Sequence, residues 1–401
     1  MRIVSVNNTA DLYGASRCLE RLAARLVGGG HDVLVVVPTA GPLKEALELS
    51  GVTVLLHPLL SIVDRNTTRT WRGRLILLLT FPLSVAWLAL VILRFRADLV
   101  HTNSGVVLSP AFAARLAGRP HVWHVREFFL EFPHLWCHYE RLMYRMSAAI
   151  IAISQSVRRQ FSPEVRGKVS VVYDGLPRDD FDRAAIVGET HVLRHRLGLD
   201  GRLSACVVGR LKWTRKGQEV LIRAAGRLKA KYPTAMYLVV GTAAPGSESH
   251  LQRFTALAAE LGVADNVVFT GDLPDPRPVY AAVDVSVVPS VDPEPFGCVV
   301  IESMALETPV VGSGSAGIAE QIVHGETGLL FPPGDDRALA AALDLLFAEA
   351  ATRSRMASRG RQRYLDTFEM EHSYDEHIKV FDAVRRRTPT RHDSTEEIAA
   401  R

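Results

Sequence analysis

Cysteine is scarce. Four residues, Cys18, Cys137, Cys206 and Cys298, are scattered over 401 positions, with no C-x-x-C pair and no histidine at metal-ligand spacing beside them. A disulfide framework and a structural zinc site are therefore not expected. Charge of one sign is also missing: 47 Lys and Arg against 43 Asp and Glu leave a formal +4. That mild basicity suits anionic small molecules, a membrane surface or nucleic acid, and charge alone does not choose among them. The basic residues do not gather in one aromatic-interleaved patch, so no nucleic-acid partner is expected. The first residues, MRIVSVNN, hold too short an apolar run for the core of a signal peptide and read as a first strand, which makes the expected compartment cytoplasmic.

Long hydrophobic runs are absent but for one. Residues 75–93, LILLLTFPLSVAWLALVIL, carry no charge and are framed by Arg74 and Arg94. The length is that of a membrane span, yet Pro82 sits mid-run with Thr80 and Ser84 around it, and a strand-like DLVHTN follows at once. The expectation is a buried or interface-seeking pair of helices, with peripheral contact at the inner face of a membrane as the alternative and a true span as the least favoured.

What is present is material for two folded cores. A hydrophobic fraction of 48% with 22% charged residues is that of a globular protein, and the length suits two α/β domains. Apolar strand runs (RIVSV, DVLVVV, TVLLH, HVWHV, AIIAIS) alternate with helical stretches, which implies parallel sheet covered on both faces. The regularity lapses after Asp174, and a second series begins at SACVVGR. The expected boundaries are a first domain at 1–180, a linker at 181–200, a second domain at 201–370, a helix at 371–388 that crosses back to the first domain, and a flexible tail at 389–401. In such sheets ligands bind at the carboxyl ends of the strands.

The sharpest local signal is PSVDPEPFGCVVIESMA, residues 289–305. Glu294 follows a strand, Pro295 and Gly297 shape a turn, and Glu302 lies in the helix that the turn opens. The amides of Gly297, Cys298, Val299 and Val300 at a helix start offer a seat for a diphosphate, and Glu302 stands where ribose hydroxyls could bond to it. A solvated Glu pair at an ordinary helix start has the same spacing. Gly312, Gly314 and Gly317 form a G-x-G-x-x-G, but late in the second series and before a short helix, which is weak support for a dinucleotide site.

With these residues the chain resembles the retaining glycosyltransferases of family four, from end to end and most closely in its second half. The resemblance implies an α/β, GT-B type fold of two Rossmann-like domains whose parallel sheets face a central cleft. It implies transfer of a sugar from a nucleotide diphosphate sugar, UDP- or GDP-linked, to a sugar or lipid-linked acceptor in polysaccharide, glycolipid or cell-envelope glycan synthesis. No cofactor and no metal are implied, since no D-x-D pair accompanies the second sheet.

Residue by residue, Arg210 and Lys216 in VVGRLKWTRKG match the basic pair that neutralises the donor diphosphate; two surface cations are the plain alternative. Glu294 matches the residue that orients the donor sugar. Gly241 in LVVGTAAPG and Leu273 in VVFTGDLPD fall in donor blocks, with Phe296 inside E-P-F-G. His124 in HVWHVREF stands where the family places an active-site histidine, although a histidine at a strand end is often only a hydrogen-bonded core residue. Arg126 and Glu127 follow it, and with Asn103 and the loop Tyr13, Gly14, Ala15 they make the expected acceptor side. Tyr13-Gly14-Ala15-Ser16 replaces the family's Gly-Gly-Ala-Glu. Glu307 stands where the family prefers glycine and Ser315-Ala316-Gly317 departs from Gly-Gly; both are expected near the donor sugar. An epimerase or phosphorylase-like enzyme on the same architecture, or a non-catalytic sugar-nucleotide binder, remains the alternative.

Overall fold

The computed structural model describes residues 1–63, 70–129, 133–243 and 246–387. It divides into two compact units, Met1–Gly175 with the chain from Met370 onward, and Leu176–Glu369. The first holds a parallel sheet of seven strands: β1 Arg2–Val6, β2 Asp32–Val37, β3 Thr53–Leu56, β4 Leu99–Thr102, β5 His121–Val125, β6 Ala149–Ala152 and β7 Val169–Val171, in the order β3-β2-β1-β4-β5-β6-β7. The second holds six: β8 Ser204–Val208, β9 Met236–Val240, β10 Val267–Gly271, β11 Val285–Val288, β12 Val310–Ser313 and β13 Gly328–Phe331, in the order β10-β9-β8-β11-β12-β13. Strand order reverses between β1 and β4 and again between β8 and β11, and those two switch points are where such sheets open a crevice for ligands.

Each sheet is buried on both faces by helices whose apolar residues recur every third or fourth position. Helix Gly14–Gly28 packs its buried Leu19, Leu22, Ala23 and Leu26 with Ile3 of β1 and Val35 of β2. In the second unit helix Gln218–Leu228 buries Val220, Leu221, Ala224, Ala225 and Leu228 against Ala205 and Tyr237. Asp335 caps helix Asp336–Ala348, accepting from the amides of Arg337 and Ala338 at 3.0 and 2.9 Å.

Two expectations about organisation change. The segment 181–200 is part of the second unit: helix Val187–Arg196 packs on helix Arg277–Ala282, and the Arg183 guanidinium donates to the carbonyls of Leu306 and Ala281 at 2.7 and 3.0 Å. The last helix, Met370–Arg387, belongs to the first unit. Its Phe381 and Val384 enter the same core as Ile3 and Leu19, and Glu371 takes a paired bond from Arg25 at 2.6 Å. The segment expected as a tail lies outside the described residues. The apolar segment differs as well: residues 71–94 form one helix rather than a pair. Thr70 caps it, and it runs through Pro82, whose ring forfeits only one backbone bond in a long leucine-rich stretch.

Glu307 lies at the carboxyl end of helix Cys298–Ala305, about 12 Å along the helix from Gly297, so it is not beside a donor sugar seated at the other end. It adopts φ 56°, a left-handed conformation that costs an L-residue about 1–2 kcal/mol. Glu307→Gly should therefore raise the melting temperature by a few degrees without altering the strand ends, as read by calorimetry. An unchanged or lower melting temperature would count against the strain.

Candidate active site

In the second unit the site is assembled by glycines that let loops touch. Gly217 has φ 74°, and a Cβ on it would fall 1.9 Å from the Pro289 carbonyl oxygen. No other residue fits there. The loop after β8 is thereby pressed on the loop after β11, and Val291 N–H donates to Arg215 O at 3.0 Å. Lys216 then reaches Glu294: its ammonium donates to Glu294 Oε1, which also accepts from Ser290 Oγ at 2.8 Å. The side chains are 37% and 19% exposed, so the pair is accessible from one side. Arg210 stands exposed just past the end of β8, and Gln218 Nε2 ties down its carbonyl at 3.1 Å. Gly241, with φ 124°, approaches Gly209 so closely that a Cβ would lie 2.3 Å from the Gly209 oxygen.

The glycines after β12 serve the same end. Gly317 N–H donates to Glu294 O at 2.9 Å, and a Cβ on it would fall 2.3 Å from Pro295 O, so this loop clamps the E-P-F-G turn. Gly312 packs beneath Ile318 and Ile322. The G-x-G-x-x-G is thus accounted for by packing, which sets aside the dinucleotide reading. Gln321 holds Gly297 from both sides, accepting from its N–H at 3.3 Å and donating to its carbonyl at 3.1 Å. The Val300 N–H bonds to Gly297 O at 2.9 Å. Two of the four amides expected for a diphosphate are therefore engaged within the chain, so an anion at this helix start would rely on the Cys298–Val299 turn and on side-chain cations.

Glu302 is almost buried, and its Oε2 accepts from Tyr280 OH at 2.9 Å. Burial, then the neighbouring Glu302 charge, pushes the Tyr280 hydroxyl well above its usual range, so it stays a donor. Leu273 is half-buried in the loop beyond β10, and Phe296 packs on Phe368 with ring centroids 6.1 Å apart. Tyr280, Ser290 and Gln321 were not legible as site residues: each acts through a partner 4 to 24 positions away.

In the first unit the expected acceptor residues form a network of their own. Asn103 Nδ2 donates to Asn7 Oδ1 at 3.0 Å and to Ala15 O at 3.2 Å, while its Oδ1 accepts from Arg126 Nε at 2.9 Å. Arg126 makes a paired bond to Asp174 at 2.7 and 2.8 Å. Asn103, Arg126 and Asp174 are all buried, so their bonds fix the ends of β1, β4 and β5 and do not display donors to an acceptor. Glu127 accepts from Ser104 Oγ and from the amides of Gly105 and Arg126 at 2.9 and 3.0 Å. Burial raises its pKa, and those bonds oppose the rise. Tyr13 and Gly14 are exposed, and Gly14, at φ 35°, has open space where a Cβ would be.

His124 does not stand open at a strand end. It lies within β5, fully buried, 5.7 and 5.3 Å by ring centroid from His101 and His377. Neither of its nitrogens has a hydrogen-bond partner among the described residues. Burial, then the Arg126 charge, drives its pKa well below 6.5, so the ring is neutral. Burial does the same to His101, brings His377 down to about 4 against the bond to Ser373 O, and His121 to about 3.

Two family models match the chain: "Glycosyltransferase Family 4" over residues 13–180 and "Glycosyl transferases group 1" over residues 193–363. Anabaena HepE, solved in complex with UDP, superposes with a TM-score of 0.81 over 96% of this chain and 100% of that one, at 22% identity. The fold is that of the GT-B glycosyltransferases. Among curated relatives, the D-inositol 3-phosphate glycosyltransferase of Stackebrandtia nassauensis is 34% identical over 55% of this chain and 50% of its own length. The GDP-mannose-dependent alpha-(1-6)-phosphatidylinositol monomannoside mannosyltransferase of Mycolicibacterium smegmatis is 32% identical over 48% of this chain and 51% of its own. The chain spans about half the length of these curated relatives.

The buried histidines generate a pH prediction. In the unfolded chain each takes up a proton as the pH falls below about 6.5, whereas the folded state refuses it down to its own lowered pKa. The stability from these neutral rings is complete above the unfolded pKa and lost as pH falls from there. Each contributes at most about 1.4 kcal/mol of loss per pH unit. Urea unfolding between about pH 7 and pH 5 should show a falling midpoint, and His377→Gln a shallower fall. A flat midpoint would contradict neutral burial.

Proposed function

We propose that the chain is a retaining glycosyltransferase of family four. It would take a sugar from a UDP- or GDP-linked donor and place it on an acceptor hydroxyl, sugar or lipid-linked, in polysaccharide, glycolipid or cell-envelope glycan synthesis at the cytoplasmic side. The observation that carries this reading is the Lys216–Glu294 pair, locked by Gly217 and Gly317 beside the start of the helix that bears Glu302. The GT-B fold and the two family matches support it.

In this reading the bond from C1 of the sugar to the diphosphate oxygen breaks as the acceptor oxygen adds to the same face of C1. The acceptor proton passes to the departing diphosphate oxygen. Arg210 and Lys216 offset the charge that develops there, the role a divalent ion plays in other transferases, and no metal or cofactor is invoked. Glu294, already held by Ser290 and Lys216, orients the sugar hydroxyls. Glu302, held by Tyr280, accepts from the ribose, while Leu273 borders the base and Phe296 backs the turn. Tyr13, Gly14 and Ala15 line the acceptor side, and His124, buried within β5, is not in reach of the transferring sugar.

Calorimetric titration with UDP, GDP, ADP and dTDP, each with and without its sugar, tests the donor side. One base series should bind, with affinity reduced at least about tenfold in Glu302→Ala and in Lys216→Ala, and with turnover down by about 10²–10³ in the latter. Failure of every diphosphate to bind, or undiminished binding by both variants, would overturn the assignment.

A further inference from the structure

Helix Trp71–Arg94 has two unlike faces. With 3.6 residues per turn, Ser84, Leu88 and Ile92 fall on one side, and all three are fully buried in the first unit. Leu88 and Ile92 belong to the core that contains Val4 of β1 and Val100 of β4. Ser84 Oγ donates to Ser109 Oγ at 2.8 Å. On the opposite side Arg72, Leu79, Leu83, Ala86, Leu90 and Arg94 fall within about 80° of one another, and every one is exposed. Leu79, Leu83 and Leu90 are 61%, 59% and 54% exposed.

The outer stripe therefore runs from one arginine to another, ~33 Å at 1.5 Å per residue, with nothing charged between them. Residues 70–97 add Arg74 and Arg96 at the same two ends and contain no acidic residue. An exposed apolar band of this length is uncommon on a soluble surface and marks an interaction site.

Its chemistry selects the occupant. A transmembrane arrangement would tear Leu88 and Ile92 out of the core and strand the Ser84–Ser109 bond in lipid. A helix held on its inner side, apolar on its outer side and cationic at both ends matches a surface with a hydrocarbon layer under a sheet of negative charge. We propose that this helix lies in the plane of an anionic lipid bilayer, with the Leu79–Leu83–Leu90 side in the acyl boundary. The arginines at its two ends meet lipid phosphates. Trp71, 70% exposed at the first turn, sits at headgroup level beside Arg72, whose guanidinium lies 5.6 Å from its ring. This deepens the proposed transfer to a lipid-linked acceptor but does not require it, because the test reads binding and not turnover.

The experiment is co-sedimentation of the full chain with vesicles of phosphatidylcholine alone and of phosphatidylcholine with about a third phosphatidylglycerol. Wild-type protein should pellet with the anionic vesicles, less at high salt, and its Trp71 emission should be quenched by brominated acyl chains, a signal absent in Trp71→Phe. Leu79→Glu/Leu83→Glu should weaken binding at least about tenfold while keeping the wild-type circular dichroism. Arg72→Glu/Arg94→Glu should abolish the preference for anionic vesicles. The proposal is overturned if wild-type protein stays in the supernatant or if the leucine variant binds as well as wild type. It is also overturned if wild type is a dimer in solution that the leucine variant converts to monomer, for then a second copy covers the stripe.

Discussion

Backbone-to-backbone contact at three glycines holds the strand ends of the second unit in register. Gly217 against Pro289, Gly241 against Gly209 and Gly317 against Pro295 each leave no room for a Cβ. These contacts are enforced by sterics and do not weaken with salt or pH as an ion pair would. Lys216, Glu294 and the start of the Glu302 helix are adjacent because the loops that carry them cannot separate. The electrostatics of the site are therefore preorganised by packing, the arrangement in which cationic groups stabilise a departing anion without first having to move.

The two units divide polar chemistry differently. In the second, charged groups face outward on either side of the E-P-F-G turn, and the supporting bonds from Ser290, Gln321 and Tyr280 come from behind. In the first, the polar groups at the strand ends are turned on one another: Asn7, Asn103, Arg126 and Asp174 form a closed chain of bonds beneath the surface. A buried Arg–Asp pair of this kind, with its donors satisfied, fixes geometry more than it adds net stability. What that unit leaves open at residues 13–15 is the Tyr13 ring and the backbone beside Gly14, a surface without charge.

The alternation of apolar strands and amphipathic helices was readable because each sheet is covered on both faces and its strands are rich in Val, Ile and Leu. The E-P-F-G turn and its two glutamates were readable because the glycine and proline punctuation is local. The rest depends on partners far away in the chain. Residues 181–200 look like a linker because their polar side chains carry no periodicity, yet Arg183 and Arg194 are bound to carbonyls of residues 281, 282 and 306. Gly297 looks like an open amide until Gln321 is brought to it. His124 looks like a strand-end residue, and only the fold sets it against His101 and, from the last helix, His377. Pro82 reads as a break, but the continuous apolar flank of helix Trp71–Arg94 overrides it.

The chain leaves the first unit after Gly175 and returns at Met370. A ribosome releases the polypeptide from the amino end, so all seven strands of the first sheet emerge long before Phe381 and Val384, which complete the core around Ile3 and Leu19. The second unit, continuous from Leu176 to Glu369, can close as soon as it is made. The half synthesised first is thus the half that finishes last, and it waits through the translation of an entire domain with one side of its core uncovered.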